Sequence, residues 1–331
     1  MVISRTPLRI SFVGGGTDIP DFADLHGGAI VSTAIDKWIH VIVAPRFEGD
    51  IRVSYSRTEI VSKAQEVEHE LVREALRLTG IPRGVDVVTL ADVPSHGTGL
   101  GSSSAVTVGL LNALYAYQGR FRSAGQLAED ASRIEIEELR KPIGRQDQYA
   151  AAGGGFNLIE FVKGGGVRVE PIVSPQGTLE VLHRSLMLFF LGTTRSASDV
   201  LDDQRARIRS GSTVDTLITM RELAYEFRDA LTNGDVSALG PLLTRNWELK
   251  RSLADGVSNA AIDQFYERAR DAGATGGKLL GAGAGGFLLF FVPPASQDAV
   301  RKAIGNSLRE FPFHFANRGS QIVLMESPHA N

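Results

Sequence analysis

The segment Pro94–Ala105 holds the most specific chemistry in the chain. Gly97, Gly99 and Gly101 alternate with Thr98 and Leu100, then run into Ser102, Ser103 and Ser104 just ahead of an apolar helical pattern. Glycines let a backbone approach an anion closely, successive N–H groups turn inward, and a helix N-terminus adds partial positive charge. Serine hydroxyls at such a place bond phosphate or coordinate Mg²⁺. No Lys-Ser/Thr pair follows the glycines, which excludes the lysine-bearing P-loop. On composition alone the segment also suits a capped helix after a loop. Two further glycine clusters suggest loops where backbone meets ligand: Gly14–Gly16, leading to Thr17 and Asp18, and Gly276–Gly286. Gly281, Gly283 and Gly286 match G-x-G-x-x-G, yet a dinucleotide loop lies between a strand and a helix. Here a helical pattern is expected before the glycines and a strand after them.

These loops need elements to hold them. Short β-rich runs fall at Leu8–Val13, Trp38–Ala44, Ile51–Tyr55 and Val85–Leu90, and helical spacing at Glu66–Leu78, Val106–Tyr117 and Gln126–Glu138. Strands are expected at Phe156–Phe161, Val167–Ile172 and Leu186–Leu191. Helices follow at Ser198–Arg209, Val214–Thr232, Val236–Leu253 and Asn259–Ala272, then a strand at Phe287–Val292, a helix at Gln297–Glu310 and a closing strand at Gln321–Met325. With 331 residues the chain exceeds one core, so two lobes are expected, divided near Ser174–Gly177 into 1–175 and 176–331. Hydrophobic residues are 43% and charged residues 22%, a globular mix. The net charge of −3, without a basic run, argues against nucleic-acid and membrane-surface partners. The absence of cysteine removes disulfides, thiolate metal sites and thiol nucleophiles. No apolar run approaches the ~20 residues of a bilayer span and no secretion leader is read, so a cytoplasmic protein is expected.

The Pro94–Ala105 segment resembles the phosphate-binding motif of the GHMP kinase superfamily. Arg5–Asp18 resembles the N-terminal motif of its sugar-kinase branch, and Lys278–Phe287 its third motif. The resemblance implies an α+β fold of two lobes, the first like ribosomal protein S5 domain 2 and the second ferredoxin-like, with ATP and Mg²⁺ as cofactors. It implies roles for single residues. Asp147, in Gly144–Tyr149, would take the proton of the attacking hydroxyl, and Arg9 would lie beside it and stabilise charge on the γ-phosphate. Gly97, Gly99, Leu100, Gly101 and Ser102–Ser104 would cradle the ATP phosphates. Glu135 with Ser103 would hold the metal, the serine being one of three adjacent candidates. Gly281, Gly283 and Gly285 would support the phosphate loop.

Asp18 matches the aspartate that grips sugar hydroxyls, with Gly15, Gly16 and Thr17 beside it. Where galactokinases carry an acid and an imidazole, this chain has Gly15 and Gly16. That implies room for a larger or differently oriented sugar. Together with Leu191–Ser198 this run resembles the D-glycero-D-manno-heptose 7-phosphate kinase branch, in which Arg195 is the expected seat of the 7-phosphate. Partners are then a sugar phosphate and ATP, with a homodimer left open. Alternatives are a kinase of fucose, galactose, mannose or N-acetylhexosamine, or a catalytically silent sugar or nucleotide sensor.

Overall fold

A computed structural model describes residues 1–94, 97–192 and 198–326. The first lobe is built from β1 (Val2–Val13), α1 (Pro20–His26), β2 (Gly28–Pro45), β3 (Ile51–Ser54), β4 (Thr58–Val61), α2 (Glu70–Thr79), β5 (Val85–Ala91), α3 (Ser102–Tyr117), α4 (Ala124–Ser132), α5 (Gln146–Gly153), β6 (Phe156–Phe161) and β7 (Val167–Pro171). The second comprises α6 (Thr178–Arg184), β8 (Leu186–Phe190), α7 (Ser198–Arg209), α8 (Val214–Thr232), α9 (Leu239–Arg251), α10 (Ala260–Asp271), β9 (Gly276–Leu279), β10 (Phe287–Phe291), α11 (Gln297–Ile304) and β11 (Arg309–Glu310). The last strand, β12 (Gln321–Met325), returns to the first lobe and pairs with β1. The expected division at 175/176 falls between β7 and α6.

The first sheet runs β12-β1-β2-β5-β3-β4, and β6 pairs with β2 and carries β7 at its other edge. The length of β2 makes this possible: Gly28–Thr33 pairs with β6 and Ile39–Pro45 with β5. β1 is buried on both faces from Leu8 to Val13, with Leu8, Ile10 and Phe12 on one face and Arg9 and Ser11 on the other, as befits a central strand. Its register with β2 shifts between Pro7 and Leu8 and again between Ser11 and Val13. Irregularities of this kind re-aim side chains, and here they bracket Arg9. Most of α3 is buried, its apolar residues running from Ala105 to Tyr115, and it packs on β1 and β2 as the lobe's central helix. The second sheet, β11-β8-β10-β9, is antiparallel throughout. α9 packs on β9, and α8 packs across onto β2 and β1. The two-lobed α+β expectation holds.

Four expectations about elements are corrected. Residues 276–279, expected as part of the third glycine loop, form strand β9, so a strand stands between the expected helix, α10, and the glycines of 281–286. The loop is therefore strand–loop–strand, and the dinucleotide reading still fails because no helix follows. Gly276 and Gly277 obscure β9 because their role is close packing: a Cβ at 276 would lie 1.9 Å from the Gly240 carbonyl of α9. The expected helix 126–138 leaves α-geometry after Ser132 and finishes as a π-turn, Arg133–Glu138. The expected helix 297–310 stops at Gly305, whose φ of 63° ends α11, and Arg309–Glu310 pair as β11. α2 begins at Glu70 rather than Glu66, and His69 caps it, its Nδ1 accepting the Val72 N–H at 3.5 Å.

Candidate functional site

Arg9 leaves β1 between the two register breaks and meets Asp147, which stands in the first turn of α5. The pair is bidentate: Nε donates to Oδ1 at 2.8 Å and Nη2 to Oδ2 at 2.8 Å. Nη1 donates to the Gly99 carbonyl, and the Arg9 backbone N–H donates to Leu100 O at 3.0 Å. One arginine thus ties the carboxylate to the glycine loop. Its side chain is 5% exposed and that of Asp147 23%, so the acid keeps an open side toward the cleft. Forked guanidinium–carboxylate bonds fix orientation as well as charge.

The glycine loop closes over this pair. Gly101 is left-handed (φ 74°) and stands at the N-cap of α3, where a Cβ would crowd Arg9 Cγ at 3.2 Å and Asp147 Oδ2 at 3.3 Å. Gly97, Gly99, Gly101 and Ser102–Ser104 line the cleft, while the Leu100 side chain is buried in the core and contributes backbone only. Glu135, carried by the π-turn, is fully buried beneath the helix start. It accepts Ser103 Oγ at 3.0 Å, Ser104 Oγ at 2.6 Å, Thr107 Oγ1 at 2.8 Å and the Gln148 side-chain amide. Both neighbouring serines, not Ser103 alone, therefore reach the carboxylate. Glu135 and the Ser103 hydroxyl are hard oxygen donors of the kind Mg²⁺ takes, few from the protein and the rest from waters and phosphates, while the Gln148 amide N–H holds the carboxylate from behind.

The Gly14–Asp18 turn forms the opposite wall. Asp18 is buried, accepts the Gly16 N–H at 3.0 Å and the Gln146 N–H at 3.2 Å, and has its carboxyl pushed upward by burial and then by the negative charge of Asp147. Thr17 is not part of the cleft: its hydroxyl is engaged by Ala29 on β2, at 3.1 Å to both N and O. The room expected over the glycines is present at Gly15, where a Cβ would find nothing nearer than Ser11 Oγ at 3.7 Å. It is absent at Gly16, because a Cβ there would lie 2.5 Å from Gln204 Nε2. The third glycine loop braces the first: a Cβ on Gly281 would lie 2.5 Å from Gly99 Cα, and one on Gly286 2.4 Å from Thr98 O. Gly283 backs onto Val257, and Gly285 is buried in the same loop. Arg195, Ser95 and His96 lie outside the described residues.

Two lysines complete the cleft of ≈ 210 Å³. Lys278 is buried and donates to Ser11 O at 2.8 Å and Phe12 O at 2.9 Å, and burial holds its ammonium well below the usual lysine range. Lys250 is buried with one long contact, 3.5 Å to Gly15 O, and burial lowers it to about 8 despite the opposing pull of Asp18. Sequence reasoning did not find Lys250 or Gln204. The usable signal was Asn246 and Lys250 at helical i, i+4 spacing, which puts both against the glycine turn, with Asn246 Oδ1 accepting the Gly14 N–H at 2.9 Å. A second cavity of ≈ 580 Å³ shares Ser103 and Lys141 with the cleft and is lined by Ile39, Leu71, Leu90, Val106, Tyr55 and His69 among others.

The model described as the GHMP kinases N terminal domain matches residues 59–155, and that described as GHMP kinases C terminal matches residues 227–310. The D-glycero-alpha-D-manno-heptose 7-phosphate kinase of Campylobacter jejuni is 31% identical over 316 residues, covering 91% of this chain and 92% of its own. A crystal structure of a D-glycero-D-manno-heptose 1-phosphate kinase from Bacteroides thetaiotaomicron superposes with a TM-score of 0.82 at 26% identity, covering 99% of this chain and 100% of its own. Lactococcus lactis galactokinase complexed with galactose shares the fold, with a TM-score of 0.77 at 17% identity over 97% of this chain and 94% of its own.

Proposed function

The chain belongs to the GHMP kinases, and from that premise we propose that it phosphorylates the anomeric hydroxyl of D-glycero-D-manno-heptose 7-phosphate to the 1,7-bisphosphate, supplying nucleotide-activated heptose for surface polysaccharide. Family membership and the named relatives make it an ATP-dependent sugar kinase; the particular sugar is our reading. The observation that carries it is the forked Arg9–Asp147 pair, opening on a cleft between the glycine loop and Asp18.

Phosphoryl transfer asks the protein mainly for positioning and electrostatics. Asp18 and Asp147 line one cleft, which supports an acceptor bound between them. Asp147 takes the hydroxyl proton as that oxygen bonds to the γ-phosphorus, the bond to the bridging oxygen breaks, and ADP departs. Arg9 holds the carboxylate in line and, through Gly99, fixes its distance to the phosphates. Backbone N–H groups of Gly97–Ser104 and the N-terminus of α3 hold the phosphates. Mg²⁺, when bound, neutralises charge on the phosphate oxygens, with Glu135 and Ser103 as the residues that would hold it. The second cavity, which combines Ile39, Leu71, Leu90 and Val106 with polar groups and meets the loop at Ser103, suits the nucleoside.

A coupled ADP-release screen over heptose 7-phosphate, heptose 1-phosphate, mannose, fucose, galactose and N-acetylhexosamines tests this reading. Heptose 7-phosphate is expected to react fastest. Equal turnover of an unphosphorylated sugar removes the 7-phosphate assignment, and turnover of the 1-phosphate alone removes the anomeric one. Asp147→Asn should leave ATP affinity within about twofold and cut kcat by about 10²–10⁴-fold; unchanged kcat rules out Asp147 as the base.

A further inference from the structure

Gln204 is the least explained polar group in the cleft. It lies on α7, is wholly buried, and lines the same cleft as Asp147 from the second lobe. Neither its Oε1 nor its Nε2 has a hydrogen-bond partner among the described residues. A primary amide brings two donors and an acceptor, and burying them unpaired costs free energy that an apolar side chain of similar size avoids. The surroundings hold this amide in place nonetheless. The neighbouring Arg205 anchors α7 to α1 through Asp21 at 2.7 Å, and Arg209 binds the same carboxylate at 2.5 Å. The amide presses on the glycine turn so closely that any side chain at position 16 would collide with it. Gly16 therefore does not open the pocket. It admits a side chain from the other lobe.

Resting on the kinase reading above, we propose that Gln204 is a specificity-determining residue of the acceptor site, its amide hydrogen-bonding adjacent hydroxyls of the sugar. The chemistry selects the ligand class. A phosphate satisfies Nε2 and leaves Oε1 facing negative charge, and an ammonium does the reverse. A pair of neighbouring hydroxyls, each donor and acceptor, satisfies both ends. Ser11 Oγ and Gln146 Oε1, buried and unpartnered on the same cleft, extend this polyol-reading lining into the first lobe. The two lobes thus read one sugar from opposite sides.

The test uses the full chain as wild type, Gln204→Leu and Gln204→Asn. Calorimetry measures binding of heptose 7-phosphate and of mannose, glucose and galactose 6-phosphates, with and without a non-hydrolysable ATP analogue and Mg²⁺. Steady-state kinetics give KM for sugar and for ATP separately. Gln204→Leu is expected to weaken binding of the preferred sugar at least tenfold and to flatten the discrimination between epimers. Its KM for ATP should stay within twofold and its Tm should hold or rise. Gln204→Asn, whose amide is withdrawn by one methylene, should show a smaller loss of the same kind, and it carries the test if the leucine variant does not fold. Unchanged sugar affinity and epimer ratio overturn the proposal, as does a lowered Tm with sugar binding intact, which marks a purely structural amide. A wild type that binds these sugars without turning them over removes the kinase reading and leaves the proposal standing. One that binds none of them removes both.

Discussion

Lys250 shows what one buried charge does to both reaction and folding. Its ammonium lines the cleft with a single long bond to Gly15 O, and its charged neighbours are Asp18, which favours the proton, and Arg9 and Lys278, which oppose it. At about 8, it loses its charge in the range where a kinase is assayed. An anionic ligand is held by the ammonium and not by the amine, so, if the acceptor is the sugar phosphate proposed above, its kcat/KM should fall as pH rises through about 8. The limb should vanish in Lys250→Met and move upward in Lys250→Arg. A pH profile of kcat/KM from about 6.5 to 9.5 decides this, and an unmoved limb in Lys250→Met assigns it to another group. The sign for folding is opposite. The folded state holds the proton more weakly than the unfolded chain, whose lysine titrates near 10.5, so the stability contribution of this group rises with pH between about 8 and 10.5. Lys250→Met should therefore gain most Tm over wild type near neutral pH and lose that advantage toward pH 10. Among the site residues, Asp147, Asp18 and Glu135 were legible only through the resemblance of their motifs to the GHMP kinases, whereas Arg9 also stands out by itself as a lone charge in an apolar strand run. Lys250 and Gln204 were not legible, because a polar residue on a helix reads as a solvated face until the packing of that helix is known.

Among elements, the two glycine loops work as one unit. Gly99 and Gly281 meet backbone to backbone, and both have φ near 80°. Alanine at 281 brings a left-handed alanine, worth about 1 kcal/mol, and a Cβ set against the Gly99 Cα, which has no rotamer to escape by. The phosphate loop must yield. Gly281→Ala is expected to raise KM for ATP about tenfold or more while secondary structure by circular dichroism stays unchanged. An unaltered KM would mean that the third loop does not set the position of the first. The same glycines explain what the sequence hid at this scale. The runs at 156–161, 198–209 and 214–232 appear with the bounds expected, because their periodicity is uninterrupted. β9 reads as loop in the sequence because its two glycines serve close packing, Gly276 against α9 and Gly277 against β10, and not a turn. The π-turn that delivers Glu135 has no periodic signature, since it differs from an α-helix by one residue in register.

At the scale of the whole molecule, the site belongs to neither lobe. Arg9, Asp18, Asp147 and the first glycine loop come from the first, and Gln204, Lys250, Lys278 and the bracing loop from the second. Lys278 reaches the carbonyls of β1, Asn246 holds Gly14, and β12 runs back to close the edge of the first sheet. The apolar interior is continuous in the same way: one cluster joins Phe12 and Phe156 of the first sheet to Phe227 of α8 and Phe287 of β10. Lobes joined by so much buried surface and by buried polar ties should not unfold separately, since opening the interface strips partners from charged groups on both sides. A single calorimetric transition is expected, its van't Hoff and calorimetric enthalpies agreeing. A non-hydrolysable ATP analogue with Mg²⁺ at about 100 times its Kd adds about 2.7 kcal/mol to the folded state. Because the first glycine loop, proposed to hold the nucleotide, is braced from the second lobe, that increment should move the whole transition upward and not split it. Two transitions, with only the earlier or later displaced by nucleotide, would show that each lobe folds alone and that the cleft is assembled only after both have formed.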